Sequence, residues 1–207
     1  MSKNITSQTL QRLPLYLDYL KSIPDNRRNQ GFISATAIAE ALCLNDVQVR
    51  KDLASVSCGG RPKVGYVTDK LIADIEEFLG FGNSDGVIIA GVGNLGRALL
   101  SFNGFGEYGL DILAGFDCNE NIIGSNINGK PILPIDQIPD FCSKNNIHIG
   151  IITVPACSAQ NVCGQMISAG ITEILNFAPV HLTAPAEITI QNQNIAISLA
   201  MTARHLL

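Results

Sequence analysis

Hydrophobic positions near the start of the chain recur with helical spacing. Leu10, Leu13, Leu17 and Leu20 follow one another at intervals of three or four residues, which predicts an amphipathic helix with these leucines on its buried face. Pro14 interrupts this pattern, and because proline is tolerated best in a first turn, we expect the helix to start around Arg12–Pro14.

Two further short helices, separated by a tight turn, are predicted between residues 34 and 56. Ser34 is a candidate N-cap for the first helix, and Asn45 or Asp46 for the second. Their buried faces are predicted to carry Ile38, Ala41 and Leu42 in the first helix, and Val49, Leu53 and Val56 in the second. The opposite face of the second helix presents Gln48, Lys51 and Ser55, with Arg50 on its flank. Long polar side chains near the start of the second helix are typical of a helix-turn-helix.

The segment CGGRPKVGYVT, residues 58–68, favours a wing beside this helix pair. It places glycines, Pro62 and two cations between short β-prone pieces, which suits a hairpin. Arg61 and Lys63 can then lie along a nucleic-acid backbone or enter its minor groove. Gln48 can read adenine edges, whereas lysine and arginine read guanine or phosphate. The predicted DNA contacts are therefore Gln48, Arg50, Lys51, Ser55, Arg61 and Lys63.

The charge distribution separates this part from the rest of the chain. The net charge is −4, yet residues 1–66 carry nine Lys or Arg against five Asp or Glu, and the remainder is acidic. A basic first third favours binding to a polyanion. The alternative is an ordinary helical hairpin with a solvated basic face. One more helix is predicted over residues 67–79, with Leu71, Ile75 and Phe78 inward, before a linker at residues 80–85.

A dinucleotide-binding turn follows the linker. The apolar run GVIIA, residues 86–90, precedes Gly91, Gly93 and Gly96 in the spacing G-x-G-x-x-G, and a helical pattern begins at Leu95. The first glycine permits a tight turn, the second allows a pyrophosphate to approach, and the third lets the helix pack on the strand. The intervening Val92, Asn94 and Leu95 belong to the same predicted cofactor site.

The second apolar run, LDILAGFD, ends in Asp117, where a carboxylate can accept hydrogen bonds from both ribose hydroxyls and would repel a 2′-phosphate. The sequence therefore favours NAD(H) over NADP(H). Further β and α patterns alternate through HIGIITVP, SAQNVCGQMISAG and ITEILNF, which predicts a doubly wound parallel sheet. We expect the ligand at the strand ends near Val154–Pro155 and Asn176–Pro179.

Residues for catalysis or metal binding are not visible in the sequence. His148 begins a predicted strand, His181 lies past the last predicted core strand, and His205 is near the C-terminus. The six cysteines form no CxxC pair, so we predict no metal site and reduced thiols. No signal peptide or membrane-spanning run is visible, which predicts a cytoplasmic protein without membrane contact. The sequence favours a non-enzymatic protein that binds NAD(H). One alternative is an NAD-dependent oxidoreductase with a regulatory N-terminal domain, and another is a domain that binds coenzyme A.

Several motifs together resemble the Rex family of redox-sensing transcriptional repressors. They are RLPLYLDYL, VQVRKDL, GVGNLGRALL, GFD, TVPA followed by AQ, and ILNFAPV. The resemblance implies a homodimeric, non-enzymatic repressor that binds double-stranded operator DNA when apo or NAD⁺-bound and is released by NADH. It implies a winged-helix domain over residues 1–80, a Rossmann domain over residues 86–194, and a C-terminal helix over residues 195–207 exchanged in the dimer. Nicotinamide is then expected near Val154, Pro155, Phe177, Ala178 and Pro179.

The chain departs from the family at three positions implicated in the switch. Family members can use an arginine in the first helix, an aspartate before the C-terminal helix and a tyrosine near the first Rossmann helix. Alignment on the motifs places Asp18, Asn194 and Phe102 there, so that an Arg–Asp ion pair cannot form at these positions. Asp18 and Asn194 can still form a weaker hydrogen bond. A Rex-like repressor that has lost NADH sensing is therefore a further alternative. The wing segment VSCGGRPK also lacks the family's aromatic residues.

Overall fold

The computed structural model describes residues 5–24, 31–81 and 84–204, and it divides into two compact units between residues 82 and 83. No helix in these described ranges has the length and apolar character required to cross a bilayer. The two units are described in turn.

The first unit is a set of four described helices around one small core. The helices are α1 (Ser7–Ser22), α2 (Ala35–Ala41), α3 (Asp46–Val56) and α4 (Thr68–Leu79). The strands are β1 (Phe32–Ile33) and β2 (Tyr66–Val67), which pair in antiparallel fashion. Side-chain caps fix where three helices begin: Thr6 accepts from the N–H of Thr9, Ser34 from that of Ala37, and Asn45 from those of Val47 and Gln48.

Helix α1 begins earlier than predicted and keeps Pro14 in its interior. The expected start at Arg12–Pro14 is therefore wrong. Proline removes one intrahelical N–H donor, but Tyr16, Leu17 and Leu20 on the following turns are at most 1% exposed. Their burial and the Thr6 cap stabilise the helix in spite of the lost hydrogen bond.

Three predicted core positions are exposed. Leu10 is 44% and Phe78 41% exposed, and Ala41 is also exposed. Leu10 lies in the first turn of α1, where the helix extends past the core, and Tyr16 is buried instead. In α4 the inward row follows Leu71, Ile75 and Leu79, which leaves Phe78 outside it. In the short α2 the buried row is Ala35, Ile38 and Ala39.

The second unit is built on one seven-stranded sheet with the order β5-β6-β4-β3-β7-β8-β9. The strands are β3 (Asp85–Ala90), β4 (Leu110–Asp117), β5 (Asn126–Ile127), β6 (Lys130–Pro134), β7 (Ile149–Ile152), β8 (Glu173–Asn176) and β9 (Thr189–Asn192). The helices are α5 (Asn94–Ser101), α6 (Ile138–Asn145), α7 (Ala156–Ser168) and α8 (Ile195–Arg204). Short 3-10 turns occupy Gly104–Tyr108 and Ile135–Gln137. Every strand pair is parallel except β5–β6.

The sheet buries both faces, as continuous apolar strands require. Ile88 and Ala90 pack on one face against α6 and α7, whereas Val87 and Ile89 pack on the other face with Leu100 of α5. This alternation confirms the predicted Rossmann-like, doubly wound architecture beside a winged-helix unit.

One strand was missed beyond β8. His181 follows the last core strand, β8, as predicted, but an edge strand, β9, comes after it and pairs in parallel with β8. The sequence does not predict β9, TIQN, because it is a polar edge strand with mostly exposed side chains, and such a strand has no apolar pattern to reveal it. Strands β5 and β6 and helix α6 were likewise not predicted.

Candidate functional site

The glycine-rich turn joins β3 to α5 and has the geometry of an anion cradle. Gly91 has φ of +94°, and a Cβ there would lie 2.8 Å from the backbone of Thr153 and Val154. A Cβ at Gly96 would collide with the carbonyl of Gly91, so this glycine permits the helix to pack closely. A Cβ at Gly93 would meet nothing within 4 Å, which means that this side of the turn is open to a ligand.

A cavity of about 1020 Å³ opens at this turn, at the carboxyl ends of the parallel strands. This volume is at the upper end of the range for ligand pockets, as a dinucleotide requires. Ten of the twelve predicted cofactor residues line it: Gly91, Val92, Gly93, Asn94, Asp117, Val154, Pro155, Phe177, Ala178 and Pro179. Leu95 and Gly96 do not, since they lie within α5 behind the turn.

Asp117 lies at the end of β4 and is fastened to the turn. Its Oδ2 accepts a hydrogen bond of 2.6 Å from the N–H of Val92, and its Oδ1 accepts one of 2.9 Å from the N–H of Asn119. Each carboxylate oxygen has a second lone pair, so both can still accept from vicinal hydroxyls. Asp117 is the one anionic side chain among the described residues that line the cavity.

Arg97 also lines the cavity, although the sequence did not identify it as a site residue. It lies in the first turn of α5, and its Nε donates to the carbonyl of Val92 at 3.1 Å. The positive end of the helix dipole does not stabilise the Arg97 cation. The position of Arg97 beside the turn is therefore better explained by an anionic ligand that binds there. Its position four residues after Gly93, on the same side of the helix, is the signal that could have revealed it.

A buried acceptor in the same cavity lacks a partner. Gln165 Oε1 on α7 is buried and has no hydrogen-bond partner among the described residues, and Gln165 lines the cavity. Because an unpaired buried acceptor is costly, this atom suits a ligand that brings an N–H or O–H donor. In the same cavity, the Thr153 hydroxyl donates to the carbonyl of Gly91 at 2.6 Å and so holds the turn.

The first unit carries a cationic cleft between α3 and the wing. A cavity of about 630 Å³ is lined by Arg50, Arg61 and Lys63, together with the first residues of α2. Arg50 forms an exposed ion pair of 2.8 Å with Asp46, a contact weak enough to exchange for a phosphate. Gln48 and Lys51 are exposed on α3, whereas Ser55 is half-buried and donates to the carbonyl of Asp52.

The wing is a short turn closed on itself. Arg61 and Gly65 exchange backbone hydrogen bonds of 2.8 and 2.9 Å. The guanidinium of Arg61 lies 5.8 Å from the ring centroid of Phe32, a cation–π distance. Lys63 has φ of +65° at the tip of the turn, a conformation that costs a non-glycine residue about 1 kcal/mol or more.

Helix α3 is joined to α1 by a buried carboxylate that sequence reasoning missed. Asp52 is 2% exposed. It accepts hydrogen bonds from Thr9 Oγ1 at 3.0 Å, Arg12 Nε at 2.7 Å and Nη2 at 3.1 Å, Tyr16 Oη at 2.8 Å and Gln48 Nε2 at 2.9 Å. Burial raises the pKa of Asp52, but the bonds from Arg12 and Tyr16 outweigh burial, and the pKa is lowered overall.

This cluster changes two sequence-based inferences. Arg12 contributes to the basic excess of the first third, but it is neutralised by Asp52 in the fold. Gln48 uses one amide N–H on Asp52, so that only its second N–H and its carbonyl oxygen are left for the base contact predicted from the sequence.

The structure describes all three positions that the sequence analysis aligned with the family's switch residues. Asp18 is exposed on α1. Phe102 is 56% exposed and packs edge-on against Phe105 with ring centroids 5.1 Å apart. Asn194 caps α8, since its Oδ1 accepts from the N–H of Ile197 at 3.0 Å.

The described histidines and cysteines form no catalytic or metal arrangement. No group of three or more His, Cys, Asp or Glu able to hold a metal ion occurs in the described ranges. His148 Nδ1 lies 3.3 Å from the carbonyl of Gly170, and His205 lies outside the described residues. Burial raises the pKa of the Cys142 thiol to about 11 and also raises that of Cys163, so both stay protonated.

Helix α8 presents an apolar surface that the second unit does not cover. Ile195, Ile197, Leu199 and Met201 are each 57–69% exposed. Apolar side chains clustered this densely on one helix mark an interaction surface. Of the predicted C-terminal helix, residues 205–207 lie outside the described ranges.

Comparison with known proteins finds matching family models and relatives over nearly the whole chain. A family model described as "CoA binding domain" matches residues 83–180, and one described as "Putative DNA-binding protein N-terminus" matches residues 4–54. The redox-sensing transcriptional repressor Rex of Bacteroides fragilis is 37% identical over 200 residues, covering 97% of this chain and 90% of that protein. Rex of Desulfitobacterium hafniense is 38% identical over 195 residues, covering 94% and 92%.

Solved structures agree with the sequence comparison. The crystal structure of RSP in complex with beta-NAD⁺ and operator DNA superposes with a TM-score of 0.90 at 30% identity, covering 99% of this chain and 94% of that one. The structure of RSP in complex with beta-NADH gives a TM-score of 0.88 at 28% identity, covering 99% and 95%.

Proposed function

The chain belongs to the Rex family of redox-sensing transcriptional repressors, and on that premise we propose how its own residues carry out the family's function. The protein is a DNA-binding repressor that responds to the NADH/NAD⁺ ratio. The observation that carries this proposal is the pairing, in one chain, of a cationic winged helix with a dinucleotide cavity whose ribose end holds a carboxylate.

We assign the nucleotide to the cavity at the glycine-rich turn. The open side of Gly93 and the guanidinium of Arg97 receive the diphosphate, and Asp117 receives the adenosine ribose hydroxyls. Nicotinamide then lies toward Val154–Pro155 and Phe177–Pro179. Coenzyme A carries a phosphate on its ribose, which the Asp117 carboxylate would repel, and this favours NAD(H) despite the description of the matching family model.

We assign the operator to the cationic cleft and the exposed face of α3. Arg50, Arg61 and Lys63 meet backbone phosphates, while Gln48 and Lys51 reach base edges in the major groove. Ser55 is half-buried and lies farther along α3, where it can contact only a neighbouring phosphate.

Repression depends on differential nucleotide binding. A nucleotide changes operator affinity only as far as it binds the two dimer conformations unequally. We propose that apo and NAD⁺-bound dimers bind the operator and that NADH favours a conformation that releases it. The exposed apolar side chains of α8 form the dimer contact, and the helix is exchanged between subunits. Domain boundaries at residues 80 and 86 follow from the linker between the units.

We further propose that the protein is not an enzyme and acts in the cytoplasm, where operator DNA and the NADH pool are both present. The cavity offers no His, Tyr–Lys pair or base-activated Cys among its described lining residues that could move a substrate proton. An oxidoreductase would need such a group beside nicotinamide.

Direct nucleotide binding tests this assignment. Titration of the purified protein with NADH, followed by NADH fluorescence, should give saturable binding that NAD⁺ competes for and coenzyme A does not. Nicotinamide absorbance should stay constant when a panel of alcohols and aldehydes is added. Tight coenzyme A binding, or substrate-dependent turnover of NADH, would contradict the assignment.

A further inference from the structure

The side chain of Asn176 lies between strand β9 and the loop formed by residues 177–180, which follows β8. Asn176 ends β8 and is fully buried at 0% exposure. The three residues that follow it, Phe177–Pro179, line the nucleotide cavity. Its backbone carbonyl accepts from the N–H of Gln193, one residue beyond β9, at 2.8 Å.

The side-chain amide of Asn176 forms hydrogen bonds both to the loop at residues 177–180 and to strand β9. Oδ1 accepts from the N–H of Ala178 at 3.0 Å, and Nδ2 donates to the carbonyl of Val180 at 2.9 Å, so the loop is wrapped around this side chain. Nδ2 also donates to Asn192 Oδ1 on β9 at 2.9 Å. A buried amide with its donors and acceptor satisfied holds its partners in one arrangement.

Strand β9, which receives the Asn176 hydrogen bond, is followed directly in the chain by helix α8. Asn192 is the last residue of β9, and Asn194, two residues later, caps α8 through the N–H of Ile197. Ala178 and Pro179 of the loop, with the following His181, line one cavity of about 380 Å³ together with Asn194 and Ile197. The hydrogen bonds of Asn176 and Asn192 are therefore a direct connection between the two sides of this cavity.

We propose that Asn176 is a positioning residue that couples the nicotinamide-side loop to β9 and, through the Asn194 cap, to helix α8. Movement of the loop when a nucleotide binds shifts the Asn176 amide, and the Asn192 bond transfers that shift to the start of α8. The proposal rests on the proposed function for the site and adds the route by which the site reaches the dimer helix.

Asn192→Ala tests the link with little risk to folding, because Asn192 is exposed and the loop bonds of Asn176 are left intact. Asn176→Asp is the stronger variant, since a carboxylate there cannot donate to Val180 or Asn192. Gln191→Ala is the matched control: Gln191 is exposed on the same strand.

Hydrogen–deuterium exchange of the full-length protein with and without saturating NADH gives the first readout. In wild type and Gln191→Ala, NADH should slow exchange both in residues 177–180 and in residues 189–204. In Asn192→Ala, we expect protection in residues 177–180 to persist and protection in residues 189–204 to fall at least threefold. Equal protection of residues 189–204 in Asn192→Ala and wild type would overturn the proposal, as would wild-type protection confined to the loop.

Operator affinity gives the second readout. NADH-dependent coupling typically changes affinity 5- to 150-fold, and in Asn192→Ala that ratio should fall to about threefold or less with the NADH Kd nearly unchanged. An unaltered ratio in Asn192→Ala would contradict the coupling role. If wild type shows protection of residues 189–204 but no change in operator affinity, redox sensing fails while the coupling through Asn176 stands.

Discussion

Asp117 both holds the glycine-rich turn and offers hydrogen-bond acceptors to a ligand. It holds the glycine-rich turn through the N–H of Val92 and retains free lone pairs toward the cavity. Its position, 21 residues after Gly96, was enough to predict that it would face the ribose, since the β-α-β connection fixes this distance. Its bond to the turn could not be predicted, because local loop geometry decides which N–H groups point inward.

Asp117→Asn should weaken NADH binding by about 10- to 100-fold, because a charge-assisted hydrogen bond contributes roughly 1.5–3 kcal/mol. The variant should also lose discrimination against NADPH, since the repulsive charge is gone. Fluorescence titration with both nucleotides measures this. Asp136→Asn, an exposed carboxylate outside the nucleotide cavity, is the control. Unchanged NADH affinity in Asp117→Asn would remove this residue from the site.

Arg97→Gln should lower NADH affinity by about tenfold and flatten its dependence on salt, because a cation near the diphosphate is lost. Arg97→Lys should recover only part of the affinity, since lysine cannot reproduce the planar guanidinium. Lys144→Gln, on the exposed end of α6, should change nothing. Calorimetry at two salt concentrations measures both effects. If Arg97→Gln binds NADH as wild type does, the guanidinium does not contact the ligand.

At the scale of elements, the sequence predicts the two helices of the helix-turn-helix but not the hydrogen bonds of Asp52 that hold α3 to α1. The spacing of Val49 and Leu53 and the Asn45 cap predict α3 from local pattern alone. Asp52 has an unremarkable position on that helix, and its four partner residues come from three successive turns of α1 and the first turn of α3. Thr9, Arg12 and Tyr16 share one face of α1 by their spacing, but the sequence does not show that this face packs against Asp52 on the other helix.

The Asp52 cluster makes stability of the first unit pH-dependent. The folded pKa of Asp52 is lowered, so its stabilisation is present above the ordinary aspartate pKa of about 3.9 and is lost as pH falls through the folded value. Asp52→Asn should lower the free energy of unfolding by about 1.5–3 kcal/mol at pH 7, because the charge-assisted hydrogen bonds from the partly exposed Arg12 are lost. The variant's stability should then vary less between pH 5 and pH 2, as measured by urea denaturation. A pH profile parallel to wild type would contradict this role.

We expect substitutions in α3 and in the wing to affect operator binding in different ways. Lys51→Ala and Arg61→Ala should each weaken operator binding and reduce the slope of log affinity against log salt by about 1. Lys51→Ala should also relax sequence discrimination if it reads a base, whereas Arg61→Ala should weaken all duplexes equally. Lys144→Ala in the second unit is the control. Electrophoretic mobility shifts over a salt series test this, and wild-type slopes in both variants would contradict the proposed interface.

At the scale of the whole molecule, helix α8 carries more apolar surface than a lone chain can cover. Ile197→Glu combined with Leu199→Glu should give a monomer, because two charges then lie in the proposed contact. Thr202→Glu on the same helix is the control for helix disruption and should remain dimeric. Light scattering after gel filtration measures the mass. A dimeric double variant would place the dimer contact elsewhere.

The domain order and the ligand class could be predicted, because each rests on local patterns: helical stripes, a glycine turn, an acidic strand end. The edge strand β9 could not, since its polar residues follow no period, and neither could the Asn176 network that depends on it. The roles of Asp18, Phe102 and Asn194 in a response to NADH stay predictions, because they rest on alignment with the family's motifs.

The central claim is that NADH lowers affinity for the operator while NAD⁺ does not. Operator binding by the full-length dimer should be titrated against NADH at a fixed, excess concentration of NAD⁺, with the apo protein alongside. We predict that apo and NAD⁺-bound proteins bind with similar Kd and that NADH raises this Kd at least fivefold. Identical operator affinity with saturating NADH, with NAD⁺ and with neither would contradict the account.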